Sequence, residues 1–504
     1  MIGSGGSAVG SRAAVALVMV LLLSAVSARS SDARERTAAA AAVRVVGSPH
    51  LFPRFDRHVA DYVARCVPKK RLKLSITAPA GVTVAVDRKA ARKGSFVTSL
   101  RVGSGQSLRF VVATRYRHQR YFVRCLPPDF PAWTAEKPGR PQAAWYVVAP
   151  CCTASTYAAI FDTNGVPVWW INTHRPPLDA SLLPDGNVVW AQRHGVDPAP
   201  GVSSGTYEEH RLDGTLVRTF SIPDGTPTDR HEMQLLPNGD YVVVGYKPRD
   251  GVDLSPYGGP PDATVLDALI EEVTPHRKVA WSWNSADHIG LDDTGRWYQQ
   301  HVIGSPVPLP DGRMAYDIVH LNAVEPYGPH RFLVSLRHTD AVYAIDKSTG
   351  NILWKLGGTQ TSRSLKILGD DVSDFGGQHD VRVLPDGTIT VHDNGTGLAR
   401  GPRALRFRVD AQAMTATLLE RVSDANVTDS PCCGSARKLP GGHWVISWGG
   451  TDLVEETTAA GEPAFALHFP SLISYRAFPV MPGRLARRAL RTGMDTMHPR
   501  SRSH

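Results

Sequence analysis

Long apolar runs are scarce in this chain of 504 residues. One stretch, Ala13 to Val26, is apolar, and it is short against the ~20 residues of a membrane-spanning helix. No other stretch approaches that length, which excludes a polytopic helical membrane protein. The run follows Ser11-Arg12 and ends at Val26-Ser27-Ala28: a basic residue, a short apolar core and small residues at the cleavage point. That pattern predicts a secretory signal peptide over 1–28, no stable membrane span after its cleavage, and a location outside the cell or on the envelope exterior. An uncleaved anchor is the alternative, because a single charge precedes the run. Acidic residues are scarce at both ends. Residues 1–127 hold 22 Lys/Arg against 5 Asp/Glu, and residues 481–504 hold 6 against 1, which leaves 28 against 41 in between. The large central region is therefore acidic, which argues against a nucleic-acid binder, whose main domain would carry a basic face. Disorder is excluded by a hydrophobic content of 42% with 20% charged residues.

Cysteine is also sparse, and its placement is uneven. Cys66 and Cys125 stand alone, whereas Cys151-Cys152 and Cys432-Cys433 are adjacent pairs. In an exported chain these six are disulfide candidates with 15 possible pairings. Our preference is Cys66–Cys125 with one or two bridges between the adjacent pairs. A vicinal bridge inside a pair is the strained alternative.

What the chain has is a repeat. LLPDGNVVW (182–190), LLPNGDYVVVG (235–245), VLPDGTITV (383–391) and KLPGGHWVISWG (438–449), with a looser VEPYGPHRFLV (324–334), each read as strand, turn, strand. A second hairpin follows, as in IFDTNGVPVWWI, EHRLDGTLVRTF and YAIDKSTGNILWKL, in six copies over the chain. Six four-stranded units predict an all-β, six-bladed β-propeller over 131–480. The first unit lacks the leading hairpin, and LISYRAFPV (472–480) is the strand that could close the ring. Short alternating strands over 46–130 predict a small N-terminal β-sandwich, preceded by a flexible linker at 29–45. The Arg-rich tail, 481–504, reads as a solvated or surface-bound extension, disordered or partly helical.

Six residues before the turn proline stand Leu178, His231, His320, His379 and Gly434. The inner strand of each blade lines the central channel, so this shared register predicts that three histidines face one space. Asn322 is expected on the same strand face as His320, by two-residue alternation, and Arg337 in the return strand is a further contributor. A guanidinium beside histidines suits an oxyanion such as sulfate, phosphate or carboxylate. It also favours neutral imidazole, which can attack a sulfuryl or phosphoryl centre. Zinc on three histidines is disfavoured by the Arg337 cation, so no metal is expected.

The run DIVHLNAVEP…FLVSLRHTDAVYAIDKSTGNILWKLGG, then GGQHDVRVLPDGTITVHDNG, with RHEMQLLPNGDYVVV upstream, resembles the bacterial PAPS-independent arylsulfotransferases over most of 140–480. The small domain ending in YFVRCLPPDFPAW resembles the N-terminal domain of that group. The resemblance implies transfer of a sulfuryl group from a phenolic sulfate ester to a phenol acceptor, by a ping-pong route through a sulfohistidine. It implies His379 as the residue transiently sulfated, His231 and His320 as acid/base and stabilising histidines, Arg337 as sulfate-binding and Asn322 as a binding residue, with no cofactor and no metal. Its partners would be small molecules: an aryl sulfate donor and a phenolic acceptor. STGNILWKLGG is also similar to quinoprotein dehydrogenase propellers, but their carboxylate calcium site has no counterpart here. A non-catalytic propeller that binds an anionic or aromatic ligand is the alternative function.

Overall fold

The computed structural model describes residues 43–151, 155–194, 204–371 and 374–500. The expected signal peptide, most of the expected linker and Cys152 lie outside the described residues. Among them no helix is long and apolar enough to cross a membrane. The chain divides into two compact units, one reaching to Pro128 and joined by the segment from His498, the other Asp129–Met497.

The first unit packs a three-stranded sheet, Arg44–Ser48, Leu72–Ala78 and Gly94–Leu100, with a five-stranded sheet of Leu51–Phe52, Asp61–Ala64, His118–Cys125, Ser107–Ala113 and Thr83–Val86. Alternation explains the pairing of faces. Along Leu72–Ala78 every second residue is buried, and Leu74 and Ile76 meet Val84, Phe110 and Val123 in one core. The first strand begins at Arg44, inside the stretch read as a linker, because Val45 is buried and pairs with Ile76. Cys66 and Cys125 form a disulfide that closes a span of 59 residues. Chain entropy assigns about 4 kcal/mol to a loop of that length. The double substitution Cys66→Ala/Cys125→Ala is therefore expected to lower the unfolding midpoint of this unit. A melt unchanged from wild type would contradict it.

The second unit consists of six four-stranded blades. Blade 2 is Leu178–Leu182, Val188–Arg193, Gly205–His210 and Leu216–Phe220, and blade 3 is Thr228–Leu235, Tyr241–Val252, Ala263–Val273 and Val279–Asn284. Blade 4 is Leu321–Pro326, Arg331–Leu336, Ala341–Asp346 and Ile352–Gly357. Blade 5 is His379–Val383, Ile389–Asp393, Arg403–Asp410 and Thr415–Val422, and blade 6 is Ser435–Lys438, Trp444–Ser447, Leu453–Thr457 and Pro463–His468. Blade 1 has Trp145–Cys151, Tyr157–Asp162 and Pro167–Asn172, and its inner strand is the distant Ile473–Val480, which pairs antiparallel with Trp145–Cys151. The ring is thus closed by a strand from the far end of the sequence. The Leu-Pro-x-Gly turns are built alike, Gly387 adopting φ 78° with its N–H donating to the Leu384 carbonyl at 2.9 Å, whereas in blade 4 the turn shifts and Tyr327 N–H donates to the Arg331 carbonyl at 2.9 Å.

The basic tail is not a solvated extension. Residues Arg487–Met497 form a helix whose Leu490, Gly493 and Met494 are buried. Arg487 pairs with Asp162 at 3.0 Å and lies over the Trp145 ring, so its charge is used against blade 1.

Candidate active site

Every inner strand of blades 2 to 5 carries a register irregularity just past the repeat position. His320 has φ 49°, and the next residue in register, Asp179 in blade 2 and Asp380 in blade 5, has φ 46° and 57°. A bulge of this kind re-aims one side chain. The result brings His231 and His379 against the Tyr475 ring of the closing strand, with His320 against His231. Ring centroids are 5.5 Å apart for His231 and Tyr475, 6.3 Å for His379 and Tyr475, and 5.1 Å for His231 and His320. All three imidazoles are buried. The other two repeat positions differ: Leu178 is part of the apolar wall between blades, and Gly434 (φ 98°) leaves room that the His392 ring occupies.

Each histidine has its Nδ1 committed. His231 Nδ1 donates to Asp229 Oδ1 at 2.5 Å, His320 Nδ1 to Asp317 Oδ2 at 2.6 Å, and His379 Nδ1 to the Gly377 carbonyl at 3.0 Å. These acceptors assign the proton to Nδ1 and leave Nε2 with its lone pair. Burial, more than the Arg337 charge emphasised by the sequence, holds His379 well below the ordinary imidazole range; Arg337 and then His320 add to it. His320 is held well below that range for the same first reason, and burial pushes the Asp317 carboxyl up.

Arg337 lies one residue past the strand Arg331–Leu336, in a short turn rather than in the strand. Its Nη1 donates to His338 Nε2 at 2.8 Å and its Nη2 to the Pro431 carbonyl at 2.8 Å. The guanidinium rests on the Trp297 ring, 4.3 Å from the centroid. Its Nε is buried with no protein acceptor among the described residues. A side chain on Gly377 would place Cβ 3.3 Å from that Nε, so glycine there keeps the donor uncovered. Asn322 does not share the free face expected of it: the bulge intervenes, and its Nδ2 donates to the Gln378 carbonyl at 2.9 Å. Its Oδ1 has no partner among the described residues.

Cys432 and Cys433 sit beside this group. Their mutual hydrogen bond, then Arg337, pulls the Cys432 thiol down. No bridge joins Cys432 to Cys433, or Cys151 to either; Cys66–Cys125 is the one disulfide among the described residues. Of the expected bridges between the adjacent pairs, none joins Cys151 to Cys432 or Cys433, and any bridge through Cys152 lies outside the described residues.

Asp229, Asp317, His338 and Trp297 were not singled out from sequence. The first two stand two and three residues before their histidines, a D-x-H and D-x-x-H spacing that carries the signal. Trp297 lies in an insertion between blades 3 and 4, outside the repeat. Asp317, His320 and His338 bring ligand atoms within 4.8 Å of one another. That set does not fit a metal ion: His320 Nδ1 is bonded to Asp317, His338 Nδ1 donates to the Asp317 carbonyl at 2.6 Å, and His338 Nε2 accepts from the Arg337 cation.

What the geometry brings together is a buried imidazole with its Nδ1 on a carbonyl, one fixed cation whose Nε–H has no protein acceptor among the described residues, and a carboxylate-backed imidazole. Among solved structures, a protein of unknown function from Bacteroides caccae is 12% identical with TM-score 0.39, covering 67% of this chain and 99% of its own. A catalytically inactive virginiamycin B lyase from Staphylococcus aureus with quinupristin is 8% identical with TM-score 0.33, covering 68% and 89%. The Cps50 (Swd1) beta-propeller domain of Myceliophteria thermophila is 11% identical with TM-score 0.33, covering 68% and 88%. No curated protein matches. The family model described as Arylsulfotransferase (ASST) matches residues 183–469, more than half of the sequence and the stretch that carries His231, His320, Arg337 and His379. The chain therefore belongs to the arylsulfotransferase family.

Proposed function

We propose that the protein transfers a sulfuryl group from an aryl sulfate ester to a phenol through a covalent intermediate on His379, without a nucleotide cofactor. The observation that carries this reading is the buried neutral His379, with Nδ1 bonded to a carbonyl, next to the open Nε–H of Arg337. In the first half, His379 Nε2 attacks sulfur and the sulfur–oxygen bond to the aryl group breaks. Arg337 takes the charge on the sulfuryl oxygens. The aryl group leaves as its phenolate, which takes a proton from His231 only after the acceptor phenol has charged that imidazole, and Asp229 compensates the charge meanwhile. In the second half the acceptor phenol gives its proton to His231, its oxygen attacks sulfur, and the nitrogen–sulfur bond breaks. The His320 ring borders His231 and keeps its plane.

The test is a chromogenic aryl sulfate with and without a phenol acceptor, together with intact mass after quenching with donor alone. A gain of one sulfuryl group and acceptor-dependent release are expected. Release without acceptor at the same rate would make the protein a sulfatase, and donor binding with no turnover a binding module. The pH dependence follows from burial. A depressed pKa means that His379 stays neutral as pH falls, so kcat/KM is expected to hold through the ordinary histidine range.

A further inference from the structure

The remaining question at His379 is what keeps its proton on Nδ1, since the opposite tautomer would turn an N–H to the substrate. We infer that Asn394 is a positioning residue: it fixes the Gly377 carbonyl that holds the His379 proton on Nδ1 and so leaves Nε2 as the reacting nitrogen. This rests on His379 as the sulfuryl acceptor.

Asn394 follows the strand Ile389–Asp393 and is wholly buried. Its Nδ2 donates to the Gly377 carbonyl at 2.8 Å and to the Cys433 carbonyl at 2.9 Å. Its Oδ1 accepts from Ser430 Oγ at 2.5 Å and from His392 Nε2 at 3.2 Å. Burial lowers His392 to about 4, so that ring is neutral and has one N–H to give. Two carbonyls on one side and two donors on the other admit one amide orientation. Asn394 Nδ2 also lies 3.2 Å from His379 Nδ1, but both its protons go to nearer carbonyls. A lone pair on Nδ1 would then face the Gly377 carbonyl oxygen at 3.0 Å with no proton between them, so Nδ1 is the donor. Gly377 is also held through the peptide that precedes it: its N–H donates to Asp340 Oδ1 at 2.8 Å, and Arg296 holds that carboxylate by two bonds of 2.6 and 3.0 Å.

The test has an arm that needs no substrate. In full-chain protein labelled with 15N-histidine, with His379→Asn to assign the signal, His379 is expected to show a proton on Nδ1; a proton on Nε2 would overturn the proposal. Asn394→Leu, compared per folded molecule, is expected to lower kcat roughly 10- to 100-fold while the donor KM stays within about two-fold, because Arg337 is untouched. The charged and titratable groups facing the ring are Arg337, His320 and His231, with Tyr475 alongside. Asn394→Asp adds a carboxylate next to Nδ1, so the acid limb of kcat/KM is expected to move to higher pH. A purely structural role would lower the folded fraction and leave tautomer and acid limb where they were, and that result sinks the inference. If wild type gains no sulfuryl mass, the functional reading falls instead, while the tautomer signal still decides the clamp.

Discussion

His379→Asn is expected to abolish sulfuryl transfer, with a fall in turnover of about 10⁴-fold or more and no mass gain from the donor. The substitution removes the nucleophile and little else. Asn is smaller than His, the Gly377 carbonyl keeps its bond from Asn394, and Arg337 keeps its contacts to His338 and Pro431. Donor binding should therefore survive. Loss of turnover with retained binding separates a missing nucleophile from a collapsed site. Turnover within ten-fold of wild type would remove His379 from the mechanism and leave only the fold and the family membership standing.

Arg476→Met is expected to cost about 3–5 kcal/mol of stability, the usual penalty for leaving buried charges without their partner. Arg476 projects from the closing strand into the centre of the ring. It reaches Asp179 of blade 2 at 2.8 Å, Glu232 of blade 3 at 3.2 Å, the Asn322 carbonyl of blade 4 at 2.6 Å and Asp380 of blade 5 at 3.2 Å. Arg382 pairs with Glu232 and Asp380 at 2.8 Å each, and Arg437 with Asp380 at 2.7 Å. Burial already pushes Glu232 up, with Arg382 and Arg476 opposing it. Without Arg476 its folded pKa would rise further above the unfolded value. Stability from such a group is present at low pH and lost as pH rises through the folded pKa, so the variant's deficit should grow towards alkaline pH. Thermal melts at two pH values measure both effects; a midpoint equal to wild type would show that the pairs merely balance their desolvation.

How much of this was legible in the residues differs by level. The paired hairpins around Pro-x-Gly are local patterns, so the six blades and the strand that closes them could be counted from sequence. His231 and His379 align on their turns, but the blade 4 turn opens at Tyr327 rather than before Pro326, so Asn322 holds the equivalent place and His320 reaches the group from outside the shared register. Their neighbours followed a different rule. A left-handed residue at His320 cannot be read from composition, nor can the bond from Asn322 Nδ2 to the Gln378 carbonyl. Trp297 comes from an insertion with no counterpart in other blades. Of the two readings of the tail, the surface-bound and partly helical one agrees with the structure, because Leu490 and Met494 among its arginines make a packed face.

The strand Ile473–Val480 has a temporal meaning as well as a spatial one. Tyr475 and Arg476 follow the other five blades in the sequence, yet Tyr475 packs against His231 and His379, and Arg476 pairs with acidic groups of three blades. Five blades can hairpin up in order as the polypeptide emerges, but the first waits for its innermost strand until the other five have been made. Catalytic competence therefore arrives in a single late step, and a ribosome-stalled or prematurely terminated product would be inert however well its early blades had folded.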